Sequence, residues 1–261
     1  MHFRFTALVL ALAATAFTLP AQSFEQLRAK CEISPSSDAG KLSLHIFENH
    51  DCPEGHHCGS NFSSESMNRF TGVTLSDLAR DGAHLVATLK AEAGTFTCTG
   101  TVHDQALYGD SLFTPNSAFV DRMGKLGFTG YDSQKLQAYT FLDVTSDFAR
   151  SLQQANIKGV TTDNLIALRI FKIDPGYAQN FVSLGYEQPD ADKLIALKVQ
   201  GVNDEEVRQI RDLGFRPSLD ELIQIRIFHI TPEFVHRMKD RGLKDLTISK
   251  LVQIKIFKLD E

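Results

Sequence analysis

Several residue classes are scarce in this sequence of 261 residues, and each shortage excludes something. It contains no tryptophan, 8 prolines and 4 cysteines. Its 27 lysines and arginines are outnumbered by 32 acidic residues, which gives a formal net charge of −5. The basic residues also form no run, so the chain lacks the electrostatic footprint of a protein that binds duplex nucleic acid. We therefore expect no nucleic-acid partner.

Long apolar runs are missing beyond the N-terminus. Residues 1–23 combine one basic residue, Arg4, with an apolar run at 7–19, a break at Pro20 and the small residues Ala21 and Ser23. This order is typical of a secretory signal peptide, and the apolar run is too short to cross a bilayer. The alternative is a buried N-terminal helix. We expect cleavage after Ser23 and an exported protein, periplasmic or secreted, with no membrane span after cleavage.

Composition divides the rest of the chain into two regions. All four cysteines and the whole excess of negative charge lie in the first half. The second half aligns on itself as units of 31, 29, 29, 28 and 29 residues. A fixed period of this length is typical of stacked supersecondary units. We therefore predict a β-domain at 24–112 and a repeat domain at 113–261, with the units Phe113–Asp143, Val144–Lys172, Ile173–Gly201, Val202–His229 and Ile230–Lys258.

Each unit begins with the signals of a helix. The second residue of every unit has a side chain that can cap a helix, and proline follows in three of the five. A residue that tolerates the left-handed conformation ends each predicted helix of about ten residues. The capping positions are Thr114, Thr145, Asp174, Asn203 and Thr231, and the ending positions are Gly127, Asn156, Gly185, Gly214 and Gly242.

A second helix is predicted in each unit. Capping residues recur at Asp132, Thr161, Asp190, Ser218 and Thr247, and four residues later comes an apolar motif such as Leu165-Ile166-Ala167-Leu168-Arg169-Ile170-Phe171. Its β-branched residues would also suit a strand, but the cap and the apolar spacing favour a short buried helix. The fold class is therefore predicted as α+β, a small antiparallel β-domain followed by an α-solenoid of five helix–turn–helix repeats.

One row of cations recurs in the repeats. Arg169, Lys198, Arg226 and Lys255, called here the cation row, occupy the same position in four successive units. Such a row could bind an anionic partner, such as an acidic peptide, a glycan or the acidic N-terminal half of this same chain. The alternative is a solvated strip that pairs with neighbouring acids. In the last unit, Ile254, Ile256 and Phe257 are candidates for a docking or dimer contact, or for side chains that fold back onto the hairpin.

The first half is predicted as β structure. Strands are expected at 42–47, 84–90, 94–102 and 107–113, with 73–78 as a lead-in strand. The last three strands are joined by short connections and should form an antiparallel meander.

The cysteines of this region have two interpretations. Export favours two disulfides, which would stabilise a small domain. Three pairings are possible, and we favour Cys31 with Cys98 and Cys52 with Cys58. The alternative is a zinc site built from these thiolates and nearby imidazoles, or a histidine-only site for copper or zinc beside the disulfide. Its candidate ligands are His45, His50, His56 and His57. We expect no cofactor.

Motifs of catalysis are absent, and the sequence contains no zinc-peptidase, serine-hydrolase or phosphate-binding signature. The segment Leu222–Val235 resembles short helical repeats of uncharacterised exported bacterial proteins. The stretch Glu92–Phe96 resembles the β-segment that precedes these repeats in such proteins. Similar repeats form extracytoplasmic tails of membrane-embedded zinc peptidases of the β-lactam-sensor type, although the peptidase part is missing here. The resemblance implies a free-standing sensing or docking module.

The function predicted from the sequence is accordingly a non-enzymatic exported interaction or scaffold protein. Its helical repeats would bind another protein or an envelope component. A metal-binding protein centred on residues 45–58 is the alternative, and an enzyme at the junction of the two regions ranks third.

Overall fold

The computed structural model describes residues 23–47 and 60–259. Within these residues the protein is α+β, with one seven-stranded antiparallel sheet and eleven α-helices. None of these helices is long and apolar enough to cross a membrane. The predicted signal peptide lies outside the described residues except for Ser23.

The sheet comes from the first half of the chain, with the strand order β3-β2-β1-β7-β6-β5-β4. The meander of β5, β6 and β7 is confirmed, whereas β1, β3 and β4 were not predicted. The strands are β1 (Leu27–Pro35), β2 (Lys41–Phe47), β3 (Ser60–Ser66), β4 (Phe70–Thr71), β5 (His84–Lys90), β6 (Gly94–His103) and β7 (Ala106–Pro115).

The predicted lead-in strand at 73–78 is wrong. This segment contains the short helix α1, Leu75–Leu78, which follows a 3₁₀ turn at Met67–Arg69 and strand β4. The Thr74 side chain accepts a hydrogen bond from the Asp77 backbone N–H. This capping bond satisfies a free N–H of the first turn, which outweighs the strand propensity of the β-branched residues.

A disulfide joins Cys31 in β1 to Cys98 in β6, as predicted. Strand β7 pairs with both strands and lies between them. Strands two positions apart in a flat sheet are separated by about 9.5 Å, yet the two cysteine Cα atoms are 6.0 Å apart. The sheet must therefore bend at β7. Cys52 and Cys58 lie outside the described residues.

A pair of glycines permits this bend. Gly100 in β6 is paired with Gly109 in β7, and a Cβ on Gly109 would lie 2.0 Å from the Thr99 carbonyl oxygen. A Cβ on Gly100 would lie 1.8 Å from the Tyr108 carbonyl oxygen. Only glycine fits both positions, and the close backbone approach lets Cys31 and Cys98 meet.

The second half forms ten helices of seven to ten residues among the described residues. They are α2 (Ser117–Lys125), α3 (Ser133–Leu142), α4 (Ser146–Gln154), α5 (Asn164–Ile170), α6 (Pro175–Ser183), α7 (Ala191–Val199), α8 (Asp204–Asp212), α9 (Leu219–Ile227), α10 (Pro232–Asp240) and α11 (Ile248–Ile256).

Nearly all the predicted capping positions cap helices. Thr145, Asp174, Asn203 and Thr231 accept from backbone N–H groups at the starts of α4, α6, α8 and α10. Asp132, Asp190, Ser218 and Thr247 do so for α3, α7, α9 and α11. The Thr161 hydroxyl accepts from the Asn164 N–H as α5 begins. The ending residues all have positive φ.

The start predicted for the first unit is wrong. Thr114 and Pro115 belong to β7, and Asn116 caps α2 through its contact with the Ala118 N–H. Strand pairing with β6 continues to Pro115, so Thr114 and Pro115 remain in the sheet and do not start a helix. The boundary predicted after residue 112 therefore falls inside β7.

The second helices of successive units contact one another, from α3 to α5, α7, α9 and α11 in turn. Their leucines Leu136, Leu165, Leu194, Leu222 and Leu251 are all buried. One apolar core therefore runs through the helices and continues into the sheet.

The sheet packs directly on the first of these helices. Phe96 of β6 and Phe141 of α3 form an edge-to-face pair with ring centroids 5.2 Å apart. The Arg69 guanidinium, which pairs with Glu65, donates to the Thr140 and Phe141 carbonyl oxygens at 2.7 and 2.5 Å. Apolar packing and hydrogen bonds to a helix C-terminus thus fix α3 against the sheet.

Candidate functional site

The cation row lies where the sequence places it, at the next-to-last residue of α5, α7, α9 and α11. The Arg169 Nε donates to the Leu142 carbonyl oxygen at 3.0 Å, and its guanidinium pairs with Asp143. The Arg226 Nε donates to the Gln200 carbonyl oxygen at 2.8 Å. Each arginine thus caps the C-terminal end of the second helix of the preceding unit.

The two lysines of the cation row contact aromatic rings of the preceding helix. The Lys198 Nζ lies 4.4 Å from the centroid of the Tyr177 ring in α6. The Lys255 Nζ lies 4.1 Å from the centroid of the Phe234 ring in α10. Both distances fall within the range of cation–π attraction. All four cations therefore contact neighbouring helices of the same chain, which favours the solvated, internally paired alternative for this row.

A similar set of contacts joins the first helices of the units. Side chains of Gln153, Arg211 and Lys239 donate to the Leu126, Leu184 and Leu213 carbonyl oxygens at 2.7, 2.7 and 3.3 Å. Each acceptor belongs to the end of the first helix one unit earlier. Polar side chains thus satisfy the free carbonyls that such short helices expose.

Of the four predicted metal ligands, the structure describes only His45. His45 lies in β2 opposite Glu32 and Phe62, and its ring stacks on Phe47. His50, His56 and His57 lie outside the described residues. Within residues 23–47 and 60–259, no group of three or more histidine, cysteine, aspartate or glutamate side chains could hold a metal ion.

A cavity of about 700 Å³ lies between α8, α9 and the start of α10. Glu206 and Arg226 line it and pair at 3.6 Å. Burial raises the pKa of Glu206, although Arg226 partly opposes the shift, and the Glu206 Oε2 has no hydrogen-bond partner within the described residues. The rim adds three further carboxylates, from Glu205, Asp212 and Glu233. The sequence did not predict this acidic cleft.

A second row of equivalent residues follows the cation row. Ile170, Val199, Ile227 and Ile256, called here the apolar row, end α5, α7, α9 and α11. Their exposed fractions are 52%, 52%, 49% and 52%. Neighbouring helix axes are about 8–10 Å apart, so the apolar row follows the helices as a strip of half-exposed side chains.

The apolar row borders a wider apolar face. Ile166, Ile195 and Ile223 lie one turn earlier on the same side of their helices and are partly buried. At the first unit the position of the apolar row is occupied by Phe141, which the sheet covers through Phe96. The sheet therefore covers this face at α3, and the exposed part of the face begins at the next helix, α5.

The two edges of this face differ in charge. At the N-terminal edge of the helices the equivalent residues are Asp163, Asp192, Asp220 and Ser249. At the C-terminal edge they are Lys172, Gly201, His229 and Lys258. All eight residues are exposed. The face is therefore apolar along its centre, acidic along one edge and free of acids at the equivalent positions of the other.

The sequence predicted the motif that contains Ile170, Val199 and Ile227 as a short buried helix and offered only Ile256 as a docking or dimer contact. The helical period predicts their exposure. Ile170 lies about 140° from Leu165 and about 200° from Leu168 around the helix, and since both leucines are buried, Ile170 lies on the opposite side. Covering the exposed half of each side chain would contribute about 1 kcal/mol. The four together therefore favour contact with another apolar surface.

Comparison with known proteins gives no match to a family model, to a curated protein or to a solved structure. The function must therefore be argued from the geometry of this chain.

Proposed function

We propose that this chain is an exported, non-enzymatic interaction protein whose helical hairpins stack as a short solenoid. The solenoid presents the apolar face of α5, α7, α9 and α11 to another polypeptide. One observation carries the proposal, namely that four equivalent positions hold branched apolar side chains about half exposed. The absence of catalytic motifs from the sequence also favours binding over turnover.

The stacking is supported by the contacts between successive second helices and by four cations that donate to carbonyl oxygens of the preceding unit, namely Arg169, Arg211, Arg226 and Lys239. Short helices are marginal alone and gain their stability from such neighbours. The end of the array that meets the sheet is closed by Phe96 and Arg69, so the sheet acts as a cap for the first unit.

Export is supported by the disulfide, because such links persist in oxidising compartments. Expression of the full chain in a bacterial host tests this directly. We expect mature protein in the periplasm or medium, with Phe24 as its first residue. Recovery of an intact N-terminus in the cytoplasm with free Cys31 and Cys98 would contradict export.

A photo-crosslinking amino acid placed at Val199 tests the binding face. We expect a covalent adduct with a polypeptide, and we expect the adduct to disappear when Ile170 and Ile227 are replaced by serine. Val86 in β5 is the matched control, because it is also a valine and is also 52% exposed. Equal labelling at both valines, or none at Val199, would refute the proposal.

A further inference from the structure

We propose that the polypeptide bound at the apolar row is a second copy of this chain, so that two copies pair face to face about a twofold axis parallel to the row, between it and the isoleucines one turn earlier. This inference rests on the proposed function, because it names the occupant of the same face. Twofold pairs of identical subunits are the commonest symmetric assembly.

The twofold axis reverses the helix direction in the second copy. Helix α5 then lies antiparallel against its own copy, and so do α7, α9 and α11. Each apolar-row residue packs towards the partly buried isoleucine one turn earlier in the other copy, as Ile170 does towards Ile166. Between them lie Ala167 and Ala196, whose small side chains permit close approach, while the equivalent residues of α9 and α11 are the exposed Gln224 and Gln253.

Charge complementarity favours this arrangement. The rotation places the acidic edge of one copy against the other edge of its partner, so that Asp163 faces Lys172 and Asp220 faces His229. Asp192 faces Gly201 and Ser249 faces Lys258, so no acid meets an acid at these positions. Asp163 and Asp220 already pair with Lys135 and Lys193 in their own chain, but both carboxylates stay largely exposed and can accept further hydrogen bonds.

The available area is sufficient for a stable dimer. The exposed parts of the apolar row, with those of Phe171, Phe257 and Leu259, amount to about 600 Å² per copy if each full side chain presents about 150–200 Å². Two copies would bury about 1,200 Å² of apolar surface before their polar edges are counted, which is in the range of specific interfaces.

Continuity with an existing contact gives further support. At the first unit the apolar-row position is Phe141, and the sheet of the same chain covers it. The face that extends from α5 to α11 is the uncovered continuation of a surface that already accepts apolar packing.

Sedimentation velocity on the full mature chain over the micromolar range tests the inference. We expect the wild type to have twice the monomer mass. Val199→Glu should raise the dimer dissociation constant on the order of a hundredfold, because it buries an unpaired carboxylate. Val86→Glu, with the same side chain and the same exposure, should leave the dimer unchanged. Circular dichroism of both variants serves as the control for folding.

Cysteine crosslinking tests the orientation. Ala167→Cys and Ala196→Cys should each give a reducible dimer, because each helix faces its own copy near the axis. Ala118→Cys, exposed on α2, should give none. A dimer that survives Val199→Glu, or that fails to crosslink at both alanines, would show that another surface is used and would overturn the inference.

The two proposals fail separately. A monomeric wild type overturns the dimer, and if the photo-crosslink at Val199 then captures a different polypeptide, the proposed function stands. A monomer with no adduct at Val199 overturns both.

Discussion

Removal of the Cys31–Cys98 disulfide should destabilise the sheet by an amount that follows from the chain between the two residues. The cysteines are separated by 67 positions. Closing a loop of that length restricts the unfolded chain by about 4 kcal/mol. Both side chains are buried, so Cys31→Ala/Cys98→Ala removes the link with little change at the surface.

Urea unfolding followed by circular dichroism measures the effect. With a slope of about 2 kcal/mol per molar urea, the midpoint should fall by about 2 M. Hydrogen exchange should show that the strands lose protection first, while α7–α11 keep theirs. Among the second helices of the units, α3 is the one that packs on β6 and β7, so the later helices do not depend directly on the sheet. A midpoint that shifts by less than about 0.5 M, or a variant whose repeat helices open before the sheet, would refute this account.

Three further predictions concern the joint and the bend. Glu92→Gln should lower stability by about 2 kcal/mol, because Glu92 accepts from the Ser146 N–H and hydroxyl at 2.8 and 2.6 Å. Burial would raise the pKa of Glu92, but these hydrogen bonds lower it, so its contribution is lost as the pH falls below about 4.5, and the acid limb of a stability titration should flatten in the variant. Arg69→Ala should lower the free energy of unfolding in urea by about 3 kcal/mol. Arg69→Lys should not restore this stability, because an ammonium group does not reproduce the two guanidinium hydrogen bonds to the Thr140 and Phe141 carbonyl oxygens. Gly109→Ala should slow disulfide formation in a refolding assay, whereas Gly124→Ala, which meets no atom within 4 Å, should not.

The repeat helices were predictable because their signals are local. A capping side chain, an apolar stripe and a residue that tolerates positive φ all lie within about ten positions. The helix start predicted for the first unit was wrong, because Thr114 has a side chain suited to a cap but pairs with β6 as part of β7. Local chemistry could not reveal that competition.

The sheet was predictable only where its strands follow one another. Strands β5, β6 and β7 are joined by short connections, and their bounds are close to those predicted. Strand β1 pairs with β7, where Leu27 meets Phe113, and no local pattern specifies a pairing across that separation. The disulfide partner of Cys31 was one of several options for the same reason.

The cation row and the apolar row show why exposure could not be read from residue type. The sequence left open whether the cations are available, and in the structure each contacts a carbonyl oxygen or an aromatic ring of its own chain. The apolar residues beside them belong to a motif predicted as a short buried helix, yet about half of each side chain is exposed. Contacts between helices decide both outcomes, within one hairpin for the lysines and between successive hairpins for the arginines.

The two rows also separate stability from binding, and this can be tested within one helix. Arg226→Met in α9 removes the hydrogen bond to Gln200 and leaves the partly buried Glu206 without its cation, so it should lower the free energy of unfolding by about 2 kcal/mol. Ile227→Ser at the next residue removes a side chain that is about half covered in the chain. It should therefore lower the free energy of unfolding by about 1 kcal/mol, less than Arg226→Met, and it should also weaken association. If Ile227→Ser unfolds the repeats while Arg226→Met does not, the roles assigned to the two rows are reversed, and the apolar row is part of the core.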